Sequence, residues 1–208
     1  QLGVAAFMGE ISSGVTTMVF NFLILGLTGN TGIAAYGVVA NVALVATAVF
    51  NGISQGSQPL LSDYYGKNDD KSVQKILRLS IITGIAAAVL IILVTNLIPD
   101  VIVAVFNNEN NAEMASYAVF GVQLYFTGFL FAGFNIIGTG FLSATESAAW
   151  AFITSVLRGF VAISLCALLL SALFGMTGVW LAFPVAEFIT SVLMVIAIAQ
   201  NVRKMRTK

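Results

Sequence analysis

The stretch Lys71-Ser72-Val73-Gln74-Lys75-Ile76-Leu77-Arg78-Leu79-Ser80-Ile81-Ile82-Thr83-Gly84-Ile85-Ala86-Ala87-Ala88-Val89-Leu90-Ile91-Ile92-Leu93-Val94-Thr95-Asn96-Leu97 decides how this chain is read. Its cations stop at Arg78, and almost everything after that is apolar. A helix needs about 20 apolar residues, at about 1.5 Å each, to cross the hydrocarbon core of a bilayer. Residues 76–97 therefore read as a spanning helix with a cationic collar at one end. Working outward, the same test picks five more spans, at residues 3–27, 32–61, 115–142, 150–174 and 178–200. The breaks between them are turn chemistry: Thr28-Gly29-Asn30-Thr31-Gly32, the cationic 62–75 segment, Pro99 to Asn111, Thr145-Glu146-Ser147, and Gly175-Met176-Thr177-Gly178. The run Val101 to Phe106 is too short to cross and is expected to lie in the interface as an amphipathic piece.

The fold class expected is all-α, a polytopic six-helix transmembrane bundle, read as one domain over residues 1–208 with no internal repeat or linker. Composition agrees. Charged residues are only 9% of the chain, against about a quarter in soluble domains, and 59% belong to the AVILMFWYC set. Zero net charge gives no reason to expect a nucleic-acid partner. The lone Cys166 excludes a disulfide framework within the chain. With no histidine, and no nucleophile elbow, zinc-protease helix or phosphate-binding glycine loop, the chain is not expected to be an enzyme or to hold a cofactor. The opening residues lack a charged n-region and a cleavage site, so they are not read as a signal peptide but as a cut from something longer.

Six spans put both termini on one side. Of nine cations, Lys67, Lys71, Lys75, Arg78, Arg203, Lys204, Arg206 and Lys208 fall on that side, which is therefore expected to be cytoplasmic, in a plasma membrane of bacterial type. The ninth, Arg158, lies about two turns into the fifth span, where its long stem is expected to snorkel toward the cytoplasmic face.

Two acids stand inside spans, Glu10 in the first and Glu187 in the sixth. A charge at the bilayer centre costs roughly 2.5–3.5 kcal/mol on insertion scales, so each must be neutral, paired or facing a wet cavity. Each reads either as an ion or proton site or as a protonated acid bonded to a neighbouring helix. Glu187 follows Pro184 by three positions, where a broken turn is expected to free a carbonyl. On the second span Asn51, Gln55 and Gln58 share one face, beside Gly52, Gly56 and Pro59. That stripe reads as the lining of a substrate path or, favoured on spacing alone, as interhelical hydrogen bonding with close small-residue packing. The fourth span's Tyr125, Phe126, Phe129, Phe131, Phe134 and Phe141 suit flat cations, but their spread around the helix favours core or lipid contact. Asn135, Gly138 and Gly140 mark a bendable half of that span, and Asn135 joins the ion or substrate candidates.

Several motifs together resemble a known family. These are Glu10-Ile11-Ser12-Ser13-Gly14, Ala34-Ala35-Tyr36-Gly37, Gly52-Ile53-Ser54-Gln55-Gly56-Ser57-Gln58-Pro59 with Tyr65-Gly66, and Gly178-Val179-Trp180-Leu181-Ala182-Phe183-Pro184 with Glu187. In order along the whole chain they resemble the C-terminal half of a multidrug and toxic compound extrusion (MATE) transporter, in its bacterial MepA-like branch. The resemblance implies the second of two six-helix lobes, with the N-terminal lobe as missing partner, exporting cationic aromatic drug-like compounds in exchange for H⁺ or Na⁺. It implies that Glu10 matches the acid of the family's seventh helix, a possible Na⁺ ligand. Two features depart from the family. Residues 115–142 hold no acid where some branches place an aspartate, and Gly3-Val4-Ala5-Ala6 lacks the proline usual before the seventh-helix acid. The rival readings are a lipid-linked oligosaccharide flippase of the same superfamily, and a six-span scaffold or channel with no coupled transport.

Overall fold

The computed structural model describes the backbone of residues 2–206 and the side chains of residues 14–205. The described chain is helical, in the order α1 (Leu2–Gly66), α2 (Asp70–Leu97), α3 (Pro99–Ala104), α4 (Ala112–Phe126), α5 (Phe129–Ala144), α6 (Ala148–Val156), a π-helix (Leu157–Ala162) and α7 (Ile163–Arg206). Among the described residues Gly14–Gly66, Asp70–Leu97 and Ala148–Met205 are long and apolar enough to cross a membrane, and the bent pair α4–α5 makes a fourth such unit.

Two of these units are double length and fold back on themselves. A straight helix of 65 residues would run about 98 Å. Instead α1 breaks at Gly29, with φ 66° and ψ −154°, a region that only glycine occupies without strain. Phe20 and Tyr36 then stack with ring centroids 5.2 Å apart, where a straight helix would hold their backbones about 24 Å apart. α7 breaks the same way at Gly175, with φ 58° and ψ −134°. Gly178 there lies so close to the Leu170 carbonyl that a Cβ would collide with it. The expected links at 28–32 and 175–178 are thus tight glycine corners, and the chain runs as six legs: residues 2–28, 30–66, α2, α4–α5, 148–174 and 176–206.

The helix α2 begins at Asp70, ahead of the span expected over residues 76–97, because Asp69 caps it by accepting from Ser72 N at 3.1 Å. Two local expectations are corrected. The fourth leg bends by 49° between α4 and α5, at Thr127-Gly128, not at Gly138 or Gly140. Thr127 Oγ1 takes the Leu124 carbonyl at 2.7 Å, and Gly128 has to be small because a Cβ there would stand 2.7 Å from the Phe183 ring and 2.9 Å from Pro184 Cα. Gly138 and Gly140 serve close packing instead, on Met194 and on Ser54. Pro184 lies inside α7 without ending it.

The core gathers the aromatic rings of the fourth leg. Phe126, Phe129 and Phe141 are buried, and Tyr125 stacks on Phe183 with centroids 4.2 Å apart and planes 7° from parallel. Trp180 is buried and fits only because Gly121 carries no side chain, since a Cβ would stand 2.8 Å from the indole.

Candidate functional site

The polar groups of the bundle divide between an enclosed cluster and an open stripe. The cluster begins at the π-helix Leu157–Ala162, whose wider turn disturbs the regular ladder of the fifth leg. Thr16 Oγ1 of α1 donates to the Gly159 carbonyl at 3.2 Å, fastening that turn to the first leg. From the same turn Arg158 Nε donates to Glu187 Oε1 at 2.6 Å. Asn135 Nδ2 on α5 donates to Glu187 Oε2 at 2.7 Å and to the Glu187 carbonyl at 2.9 Å, and Ser191 Oγ donates to that carbonyl at 2.8 Å.

This network answers the cost of burying an acid. The Glu187 side chain is 4% exposed and that of Arg158 27%, so the acid lies among apolar legs with a cation at hydrogen-bond length beside it. Arg158 therefore does not snorkel, because an opposite charge at hydrogen-bond length outweighs a stretched reach to the interface. Glu187 does not serve a carbonyl freed by Pro184 either; both of its carboxylate oxygens are engaged across legs. Asn135 is fully buried, and its Oδ1 finds no partner among the described residues. Turning the amide over would set that oxygen against the Glu187 carboxylate, so the bonds of Nδ2 fix its direction. The cluster joins the fourth, fifth and sixth legs in one electroneutral knot.

The stripe lies on the second leg. Asn51 and Gln55 are exposed, Gln58 is half-buried, and none of the three makes a hydrogen bond within the described residues. A Cβ added at Gly52 or Gly56 would meet nothing within 4 Å. Among the described residues, then, Asn51 and Gln55 do not take part in the hydrogen bonding within the bundle that the favoured reading expects, while Gln58 lies beside Gly140. The leg makes its close contacts through Phe50 and Ser54, on the side turned toward α5, where a Cβ at Gly133 would collide with the Phe50 ring. Ser54 Oγ reaches the Ile136 carbonyl at 3.4 Å, and a Cβ at Gly140 would collide with that hydroxyl and stand 3.0 Å from Gln58 Nε2. Amides in a spanning leg that look away from their own bundle need water or another polar surface opposite them. The Glu10 side chain lies outside the described residues.

Of the residues singled out in the sequence, the structure joins Asn135 to Glu187 and keeps Asn51 and Gln55 apart from both on an open face. The Arg158–Glu187 pair escaped sequence reasoning, yet a signal existed. Counted from the corner at Gly175, Arg158 lies about 25 Å down one leg and Glu187 about 18 Å down the other, within reach of an arginine stem. The π turn and the place of Asn135 had no such signal.

A family model described as MatE matches residues 5–168. Among curated proteins, the multidrug export protein MepA of Staphylococcus haemolyticus is 29% identical over 93% of this chain and 42% of its own length. MepA of a bovine Staphylococcus aureus strain is 28% identical over 90% of this chain and 40% of its own length. The chain thus spans less than half the length of these relatives. Among solved structures, the outward-facing and inward-facing conformations of a multidrug resistance MATE family transporter of the MOP superfamily each superpose with a TM-score of 0.93 at 10% identity. They cover 99% of this chain and 46% and 48% of the respective structures.

Proposed function

The chain belongs to the MatE family, and from that premise we propose that it is one six-helix lobe of a cation-coupled multidrug efflux antiporter that exports cationic aromatic compounds. The observation that carries the proposal is the open amide stripe of Asn51 and Gln55, with Gln58 at its edge, on a leg otherwise built for a membrane. Facing a second lobe across a wet cleft, these amides offer carbonyl oxygens to a cation without fixing its identity. The relatives named as multidrug exporters are more than twice as long as the matched region, which leaves room for that second lobe. The equal fit of this fold to an outward-facing and an inward-facing structure supports a lobe that moves as a rigid body while the cleft changes sides.

Glu10 then supplies the coupling site, alternating between a protonated or Na⁺-bound state and a substrate-facing one. Glu187, held by Arg158 and Asn135, serves cohesion of the lobe. One charge moved through 100 mV releases about 2.3 kcal/mol, which at about 1.4 kcal/mol per tenfold sustains roughly a 40-fold gradient. Both termini and the α1–α2 turn face the cytoplasm in this scheme. The flippase reading needs cations for a pyrophosphate head group, and Arg158, the cation of the fifth leg, is already paired with Glu187.

The test is efflux of a cationic dye from liposomes bearing the full-length protein, wild type and Glu10→Gln, under imposed H⁺ and Na⁺ gradients. Efflux that follows one gradient and is lost in the variant is the expected result. Gradient-driven efflux that survives Glu10→Gln removes Glu10 from coupling. Downhill flux without ion dependence in the wild type points to a channel.

A further inference from the structure

One face of α2 is built in two chemically distinct halves. Lys71, Lys75, Arg78, Ile82, Ile85, Val89 and Leu93 follow one another at steps of three or four residues, so they form a single stripe along the helix. Every one of them is exposed, the apolar four by 45–51%. The opposite face, through Val73, Leu77, Ser80, Gly84 and Ala88, is buried in the bundle. Behind Gly84 stands Ile137 of α5, so close that a Cβ would collide with it.

Lengths match a lipid. Ile82 to Leu93 spans about 16 Å of helix, close to the half-thickness of a 30 Å hydrocarbon core. Lys71 to Arg78 adds about 10 Å, the depth of a headgroup layer into which long cationic stems extend. Of the nearby acids, Asp63 holds Lys67 at 2.7 Å, and Asp69 is engaged first by Ser72 at 2.6 Å while also feeling the charge of Lys71 at the rim; Asp70 stands next to Lys71 in the first turn. Among the described residues no acid forms an ion pair with Lys71, Lys75 or Arg78.

We propose that this face of α2 is a binding site for an anionic phospholipid, its phosphate held by Lys75 and Arg78 with Lys71 at the rim and an acyl chain lying along Ile82, Ile85, Val89 and Leu93. Charge complementarity selects this occupant. A protein surface covering the stripe would have to bury three cations unpaired within this chain, whereas an anionic headgroup meets them at the interface, where each is worth about 1 kcal/mol, close to fivefold in affinity. The proposal rests on the membrane-spanning reading of α2 and not on transport.

The test places a reporter in the stripe, Ile82→Trp in the full-length protein, in vesicles of phosphatidylcholine mixed with phosphatidylglycerol. Quenching by dibrominated phosphatidylglycerol is compared with quenching by dibrominated phosphatidylcholine, after subtracting the protein without the reporter. The expected relative affinity favours the anionic lipid, drops up to fivefold with Arg78→Gln, vanishes with Lys71→Gln/Lys75→Gln/Arg78→Gln and survives Lys71→Arg/Lys75→Arg. Equal quenching by the two lipids, a preference indifferent to Arg78→Gln and the triple change alike, or a reporter that neither lipid reaches because protein covers it, overturns the proposal. None of these readouts depends on efflux, so failure here and failure of the antiporter reading are separable.

Discussion

Replacing Arg158 by glutamine strips the guanidinium from a carboxylate whose side chain is only 4% exposed. Glu187 would keep its two bonds from Asn135 but lose its counter-charge, and an unpaired charge left in a buried site costs about 3–5 kcal/mol. The reverse change, Glu187→Gln, leaves a guanidinium that is 27% exposed and can turn part of itself toward water. Its cost is nearer that of one hydrogen bond to a charged group, about 1.5–3 kcal/mol. The pair should therefore respond asymmetrically, with Arg158→Gln worse by about 2 kcal/mol, or roughly 30-fold in the folded-to-unfolded ratio. The double variant places two neutral amides side by side and should recover at least about 1.5 kcal/mol of the summed losses. Equilibrium unfolding in mixed micelles, followed by the tryptophan fluorescence of Trp150 and buried Trp180, measures all three variants on one scale. Equal costs for the single changes, or additivity within about 0.5 kcal/mol, would refute the view that Arg158 neutralises Glu187 inside the bundle.

Glycine substitutions on opposite sides of the second leg should diverge. Gly140→Ala forces a Cβ onto Ser54 and Gln58 and should cost about 1–3 kcal/mol in the same unfolding assay, whereas Gly52→Ala, with nothing within 4 Å, should leave lobe stability unchanged while lowering efflux. At the start of α2, the hydrogen bonds from the Ser72 side chain and backbone hold the Asp69 carboxyl below the usual carboxylate range. The unfolded state then takes up the proton first as pH falls, so the cap's contribution is complete above the ordinary carboxylate range and is lost as pH drops through the depressed folded value. Protection of the residue 70–75 amides, measured against their intrinsic exchange rates at each pH, should fall with acidification more in the wild type than in Asp69→Asn, which caps without titrating; identical profiles would count against this.

The membrane class, the leg count and the two glycine corners were legible because each depends on local chemistry. A window of some 20 apolar residues needs no partner to declare itself, and Gly29 and Gly175 sit where a positive φ is required. The helix start at Asp70 was not legible from hydropathy, which reads where the apolar run begins, whereas the helix begins at its cap, Asp69. The bend was misplaced for a different reason. Glycines at 138 and 140 look like flexibility in isolation, but Met194 and Ser54 fill the space beside them, and the true break at Thr127-Gly128 is where Phe183 and Pro184 press against α5.

In a soluble helix the change from apolar to charged side chains tells which way it is turned, but a leg between lipid and core is apolar all round. By itself, then, the sequence determined that the chain threads a membrane as short apolar legs, with eight of its nine cations clustered at residues 67–78 and 203–208, and it singled out Glu187, Asn51 and Gln55 as polar groups with something to explain. Tertiary structure alone decided their surroundings: Glu187 turned inward to Arg158 and Asn135, Asn51 and Gln55 turned outward with no partner. The reason is that helix rotation here is set by the fit of glycines, aromatics and one ion pair between legs, contacts between residues far apart in the chain that no local pattern records.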